Sequence, residues 1–278
     1  RQPDCTREPP SEGPLMALPN PKSWPILDRI NLIWVHLWLG FTAKTPRENM
    51  KLVWVFLEPA GQLLILLTLF SLIGRVPAYG RSFALFLFTG LVFLNFFTRG
   101  SVAVSLAIER ANSPRRLPEV GLFQPAIAAL LMHMLIAAAV APTLGYAIWY
   151  FQQVPVAPLQ VWPLFQVILW GSLLVFGVGL VRGYCLRFMP AVERVFKTIS
   201  RGLFLFSGIF YVPSWLPPEY RWAIAYNPIV HVIELGRTAI YLKYPTTVLS
   251  MPYLIGWALG ATVFGMALVW AARARLRE

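Results

Sequence analysis

The stretch SGIFYVPSWLPPEYRWAIAYNPIVHVIELGRTAIY, residues 207–241, decides how the chain is read. It is too apolar and aromatic for an ordinary loop. Yet Pro213, Pro217, Pro218 and Pro228 rule out one continuous helix, because each lacks an amide donor and biases the residue before it out of the helical region. The spacing predicts short half-helices set between two membrane spans. Broken helices at membrane depth persist only where protein or a water-filled cavity satisfies their freed backbone groups, so the segment is expected to belong to a transport pathway.

The composition around that stretch agrees. The 278 residues are 57% hydrophobic, with a mean hydropathy of +0.60 and 13% charged residues, whereas soluble domains carry ~25% charged residues. This defines an all-α integral membrane protein. A span needs about 20 mostly apolar residues to cross ~30 Å of hydrocarbon. Six such runs are expected: 52–73, 83–107, 124–150, 161–182, 196–213 and 252–272.

An even number of spans places both termini on one side, and Lys and Arg indicate which. Seven precede the first span, three (Arg110, Arg115, Arg116) fall in the second connection, five (Arg182, Arg187, Arg194, Lys197, Arg201) in the fourth and three at the C-terminus. Five lie on the other face and one, Arg99, inside a span. Both termini are therefore expected in the cytoplasm. The net charge of +12 is accounted for by topology and anionic headgroups, so no nucleic-acid partner is implied. The two cysteines, Cys5 and Cys185, fall in segments placed in the cytoplasm and read as inert thiols.

Residues 1–24, with six prolines and few aliphatics, read as a disordered cytoplasmic tail without the features of a signal peptide. Over 25–45, Ile26, Leu27, Ile30, Ile33, Trp34, Leu37, Trp38 and Phe41 form one apolar stripe opposite Asp28, Arg29 and His36. That pattern predicts an amphipathic helix lying in the membrane interface. The rest, 46–278, reads as one six-span domain. Its connection at about 109–120 holds a basic piece between Pro114 and Pro118, either a topology-setting loop or a short helix that docks a cytoplasmic partner.

Enzyme signatures are missing from the sequence. There is no phosphate-binding Gly-x-x-x-x-Gly-Lys-Ser/Thr loop, no His-Glu-x-x-His, no Gly-x-Ser-x-Gly, and the only aspartates are Asp4 and Asp28. What stands out is a set of polar groups at membrane depth, each costly unless paired or hydrated. Glu58 precedes Pro59 early in the first span and reads either as facing a cytoplasmic cavity or as paired with Lys51 or another basic residue. Arg99 requires water, a carboxylate or an anionic ligand. His133 reads as a packing residue. In the half-helix after Asn227-Pro228, His231, Glu234, Arg237, Thr238 and Tyr241 share about a third of the circumference. There Glu234 and Arg237 either neutralise each other or line the mouth of a conduit. Phe93, Phe96, Phe97, Phe210, Tyr211 and Trp215 supply aromatic surface near both elements, suited either to membrane packing or to a sliding sugar chain.

The runs LWLGFTAK (37–44), LVWVFLEPAGQLLILL (52–67), SGIFY (207–211) and NPIVHVIELGR (227–237) resemble the KpsM-type permeases of bacterial capsule exporters, type 2 ABC-exporter subunits with the Wzm-type O-antigen permeases as relatives. The resemblance covers about 24–276. It implies a homodimer in the bacterial inner membrane, with a separate KpsT-type subunit that binds ATP and Mg, so that this chain needs no cofactor of its own. It also implies a coupling helix at about 109–120, here Glu109, Arg110, Pro114, Arg115, Arg116, Leu117 and Pro118, and re-entrant helices over about 213–245. The implied cargo is a lipid-linked acidic polysaccharide, handed to a KpsE-type co-polymerase. On that basis Glu58 belongs to the cytoplasmic mouth of a conduit. Its interior includes Arg99, Phe93, Phe96 and Phe97, and its outer gate Tyr211, Trp215, His231, Glu234 and Arg237. An exporter of O-antigen, a small lipid or a drug, or an ion-coupled transporter using Glu58 or His133, are the alternatives.

Overall fold

The computed structural model describes residues 46–74, 77–111, 123–154, 156 and 160–275. The expected tail (1–24), the interface helix (25–45) and the coupling residues Pro114, Arg115, Arg116, Leu117 and Pro118 lie outside the described residues. Among those described, the regular structure is helical throughout: α1 (Pro46–Leu72), α2 (Phe83–Ala111), α3 (Gln124–Gln152), α4 (Val161–Phe188), α5 (Val192–Phe206), a 3-10 turn (Pro213–Trp215), α6 (Pro218–Ala225), α7 (Pro228–Ile240) and α8 (Met251–Arg275). Five of these, α1 to α4 and α8, are long and apolar enough to cross a membrane.

Close contacts fix how the helices run. A Cβ at Gly100 would meet Val175, at Gly179 Val104 and at Gly183 Ile108, so α2 and α4 lie parallel with glycines between them. Gly177 faces the other way, where a Cβ would stand 2.4 Å from the Thr262 amide nitrogen, and Gly265 abuts Leu180, which makes α8 parallel to α4 as well. Such small residues let apolar helices approach where no hydrophobic driving force operates between them. α1 runs antiparallel to α2 through Gln62–Asn95 and Glu58–Arg99. α3 runs antiparallel to α2 through His133–Phe96 and Gly145–Phe88. One end of the bundle thus carries Arg110, Arg187 and Arg194, and the other carries 207–250.

The expected span over 196–213 takes a different form. α5 has 15 residues, about 22 Å of helix, short of the ~30 Å core, and Glu193, Arg194, Lys197 and Arg201 interrupt its apolar face. Gly208, at φ +73°, lies just beyond its end, in a left-handed conformation that glycine adopts without steric penalty. The polar stripe and this bend are why the stretch does not form a long apolar helix.

The half-helices expected from the prolines are present. Pro213, Pro218 and Pro228 each sit in the first turn of their helix, where a missing amide costs nothing. Asn227 caps α7 by accepting from the Ile229 amide at 3.0 Å. α7 lies inside the bundle: Val232 meets Gly171, a Cβ on Gly236 would run into the Phe93 ring, and the Gln160 amide donates to Ala239 O. Gln160 and Gly171 are separated by about 16 Å of helical rise, so α7 dips well into the bundle and turns back.

Candidate functional site

A groove of about 980 Å3 opens along α1, α2 and α5, lined by Leu57, Ile65, Leu66 and Val102 together with polar and charged groups. From α1 it takes Trp54, Glu58 and Gln62, from α2 Asn95, Thr98 and Arg99, from the end of α4 Arg182, and from α5 Glu193, Lys197, Ser200, Arg201 and Phe204. The α5 residues recur at i, i+4, i+7, i+8 and i+11, one stripe of a helix. On its other side Val195, Ile199 and Phe206 are exposed. Four cations (Arg99, Arg182, Lys197, Arg201) face two carboxylates (Glu58, Glu193) across the groove, leaving an excess of positive charge that suits an anionic guest.

Two ion pairs organise it. Arg99 Nη2 lies 2.8 Å from Glu58 Oε1, which settles both residues' need for a partner and links α2 to α1. With 31% and 63% of their side chains exposed, the pair lies open to the groove. Arg182, nearly buried, grips Glu193 with Nη2 and Nε at 2.5 and 3.2 Å, a two-pronged contact that fixes the start of α5 against α4. Lys197 approaches the same carboxylate at 3.9 Å.

At the opposite end, Arg237 is wholly buried. It donates to Gly208 O (2.7 Å), Ile209 O (3.1 Å), Phe86 O (3.4 Å), Thr89 Oγ1 (3.4 Å) and Tyr244 Oη (3.1 Å), and lies 3.9 Å from the Phe86 ring centre. The guanidinium therefore supplies donors to carbonyls that the bend at 207–212 leaves without helical partners, and joins the bend to α2 and α7. His231 ties three elements: its Nδ1 accepts from the Ser250 amide (3.1 Å), which leaves Nε2–H to donate to Ala225 O (2.8 Å). Ser214 Oγ donates to Pro245 O and accepts from the Thr247 amide.

The residues singled out from sequence separate into three groups. Glu58 and Arg99 face the groove together. Phe97 is buried in the core, Phe93 covers Gly236, and Phe96 stacks on His133 at 5.5 Å. Tyr211, His231, Glu234 and Arg237 belong to the packed re-entrant segment, where Trp215 is exposed (61%) and leans on Tyr79. Glu234 and Arg237 lie near enough to interact electrostatically but make no hydrogen bond to each other: both Glu234 oxygens are buried without a hydrogen-bond partner among the described residues. Glu109 and Arg110 close the last turns of α2.

Sequence reasoning missed Gln62, Asn95, Arg182, Glu193, Lys197, Ser200 and Arg201. The basic ones served only as topology markers there. The available signal was the i, i+4, i+8 recurrence of Glu193, Lys197 and Arg201.

The described residues form a bundle of membrane-length helices with re-entrant half-helices and a groove that carries polar and charged groups. Residues 31–241 match the ABC-2 type transporter family, and the chain belongs to it, as a permease whose ATP hydrolysis resides on a separate subunit. Among curated proteins it is similar to two sequences from Escherichia coli, each named polysialic acid transport protein KpsM. Each is 29% identical over 219 residues, covering 78% of this chain and 83% of the relative.

Proposed function

We propose that the chain is the permease of an ATP-driven exporter that carries a lipid-linked, acidic capsular polysaccharide across the bacterial inner membrane. The single observation that carries this reading is the basic excess of the groove along α1, α2 and α5, together with similarity to relatives named for transport of polysialic acid, a polyanion. Carbohydrate slides best over surfaces that offer many shallow hydrogen bonds, and Gln62, Asn95, Thr98 and Ser200 supply them beside Trp54 and Phe204.

The groove as one chain presents it is half a conduit. Glu58 and Lys197, 63% and 65% exposed, are charged side chains that contact with hydrocarbon disfavours. A second copy facing the groove removes that contact and closes the channel, with α5 of each chain forming opposite walls. The basic end is cytoplasmic by the positive-inside rule, so both termini are too, and the last turns of α2 at Glu109 and Arg110 lead toward the coupling contact with a KpsT-type subunit holding ATP and Mg. The 207–245 segment then forms the outer gate, which hands cargo to a KpsE-type co-polymerase. ATP binding shifts the population of gate conformations.

Arg99→Ala tests this. Polysaccharide should accumulate inside the cell while the complex with the ATPase still assembles. Normal surface capsule in that variant would remove Arg99 from the path.

A further inference from the structure

On a face of α1 next to the groove, α1, α2 and α3 line a second, half-open cavity of about 210 Å3. Leu63, Phe88, Val92, Ile136, Val140 and Leu144 make its walls apolar, and at one end stand Asn95, Arg99 and His133. The two cavities share Asn95 and Arg99. Pro59 lines this one while its neighbour Glu58 lines the groove, so α1 is a partition with a polar gap where Arg99 passes beneath it.

Three observations define the occupant. An apolar crevice inside a bilayer forfeits dispersion contacts when unfilled, and the filler at hand along its apolar walls is a hydrocarbon chain. The polar end keeps hydrogen-bonding capacity and adjoins positive charge: the Glu58 contact engages Nη2 of Arg99 out of five guanidinium N–H groups, His133 Nε2 is buried with no partner among the described residues, and the groove that meets the cavity at Arg99 holds four cations against two carboxylates. The polarity also runs along the membrane normal. Arg99 and His133 lie toward the basic end and Phe88 and Leu144 toward the re-entrant end, the head-to-tail direction of a lipid in the leaflet at the basic end.

The geometry points to a binding site for one acyl chain of an anionic lipid, the chain lying between α1, α2 and α3 and its phosphate or carboxylate head meeting Arg99 where cavity and groove join. A second copy of the chain is not the occupant, because in the proposed dimer it covers a different face of α1, around Glu58 and Lys197. Entry requires only that α1 lean away from α2. α1 is sparsely buried, and Gln62–Asn95 and Glu58–Arg99 are the polar links across that seam. The site does not depend on a glycan cargo: a bilayer phospholipid and the lipid end of a transported molecule present the same chemistry.

Photolabelling tests it, with the full chain and its ATPase subunit in vesicles containing phosphatidylglycerol that bears a diazirine midway along one acyl chain. Label is expected to concentrate on Val92, Ile136 and Val140 over the bilayer-facing Leu135. Filling the cavity by Ala137→Trp, or separately Ala141→Phe, should lower wall labelling at least fivefold and leave Leu135 unchanged. A phosphatidylcholine probe should label the walls less, and Arg99→Gln should erase that preference. Wall labelling no higher than at Leu135, or unmoved by both filling variants, overturns the site. Equal labelling by the two probes overturns the anionic head. Native mass spectrometry of the complex from cells with and without glycan synthesis identifies the source. A lipid adduct in both, or one that appears only with glycan synthesis, supports the site, and no lipid adduct in either contradicts it.

Discussion

Arg237 takes carbonyl acceptors from residues 86, 208 and 209, far from it in the chain. A guanidinium serves them because its donors form a rigid planar fork, whereas an ammonium is a compact point charge. Arg237→Ala leaves several buried carbonyls unsatisfied, at ~1–3 kcal/mol each. The variant should lose at least ~3 kcal/mol in stability, read as a fall in the thermal midpoint of the purified complex, with Arg237→Lys intermediate. Glu234 differs, since its buried oxygens have no hydrogen-bond partner among the described residues and only the charge of Arg237 nearby. Glu234→Gln removes the chance of an uncompensated buried charge at nearly constant shape and should cost less than ~1 kcal/mol in the same assay. The sequence placed His231, Glu234 and Arg237 correctly on one strip of a half-helix, but left open whether that strip meets a conduit or protein. Local periodicity carries no information about a bend 29 residues upstream that happens to need donors.

The helix pairs are held by glycines more than by polar contacts. A methyl at Gly177 would press on the Thr262 backbone, which cannot rotate away as a side chain does, while one at Gly260 meets open space. Gly177→Ala should therefore destabilise by ~1–3 kcal/mol and Gly260→Ala by almost nothing, measured as thermal midpoints in one detergent. The long spans and the proline-started half-helices were legible because each is a local property: runs of apolar residues, prolines in first turns, Asn227 as cap. α5 was not. A run counted as apolar from 196 to 213 conceals a charged stripe and a left-handed glycine. Both mark the element that lines the groove, so the departure from the expected span falls on the wall of the proposed path.

The whole molecule is a bundle with two faces on α1: a basic polar groove on one and an apolar cavity on the other, meeting at Arg99. In the proposed dimer a second copy covers the exposed charges of the groove. Single cysteines placed on α5, at position 197 or 201, should cross-link between copies in native membranes through a bifunctional thiol reagent long enough to cross the conduit, while a cysteine at Leu135 should not. In the proposed path glycan passes along α5. The direct measurement places a photoreactive amino acid at Lys197 or Arg201, with Leu135 as control, in a complex stalled by an inactive ATPase subunit while polysaccharide is being made. Glycan should cross-link at 197 and 201 and not at 135. Polysaccharide retained by the stalled complex but cross-linked at 135, or at none of the three, would contradict the account.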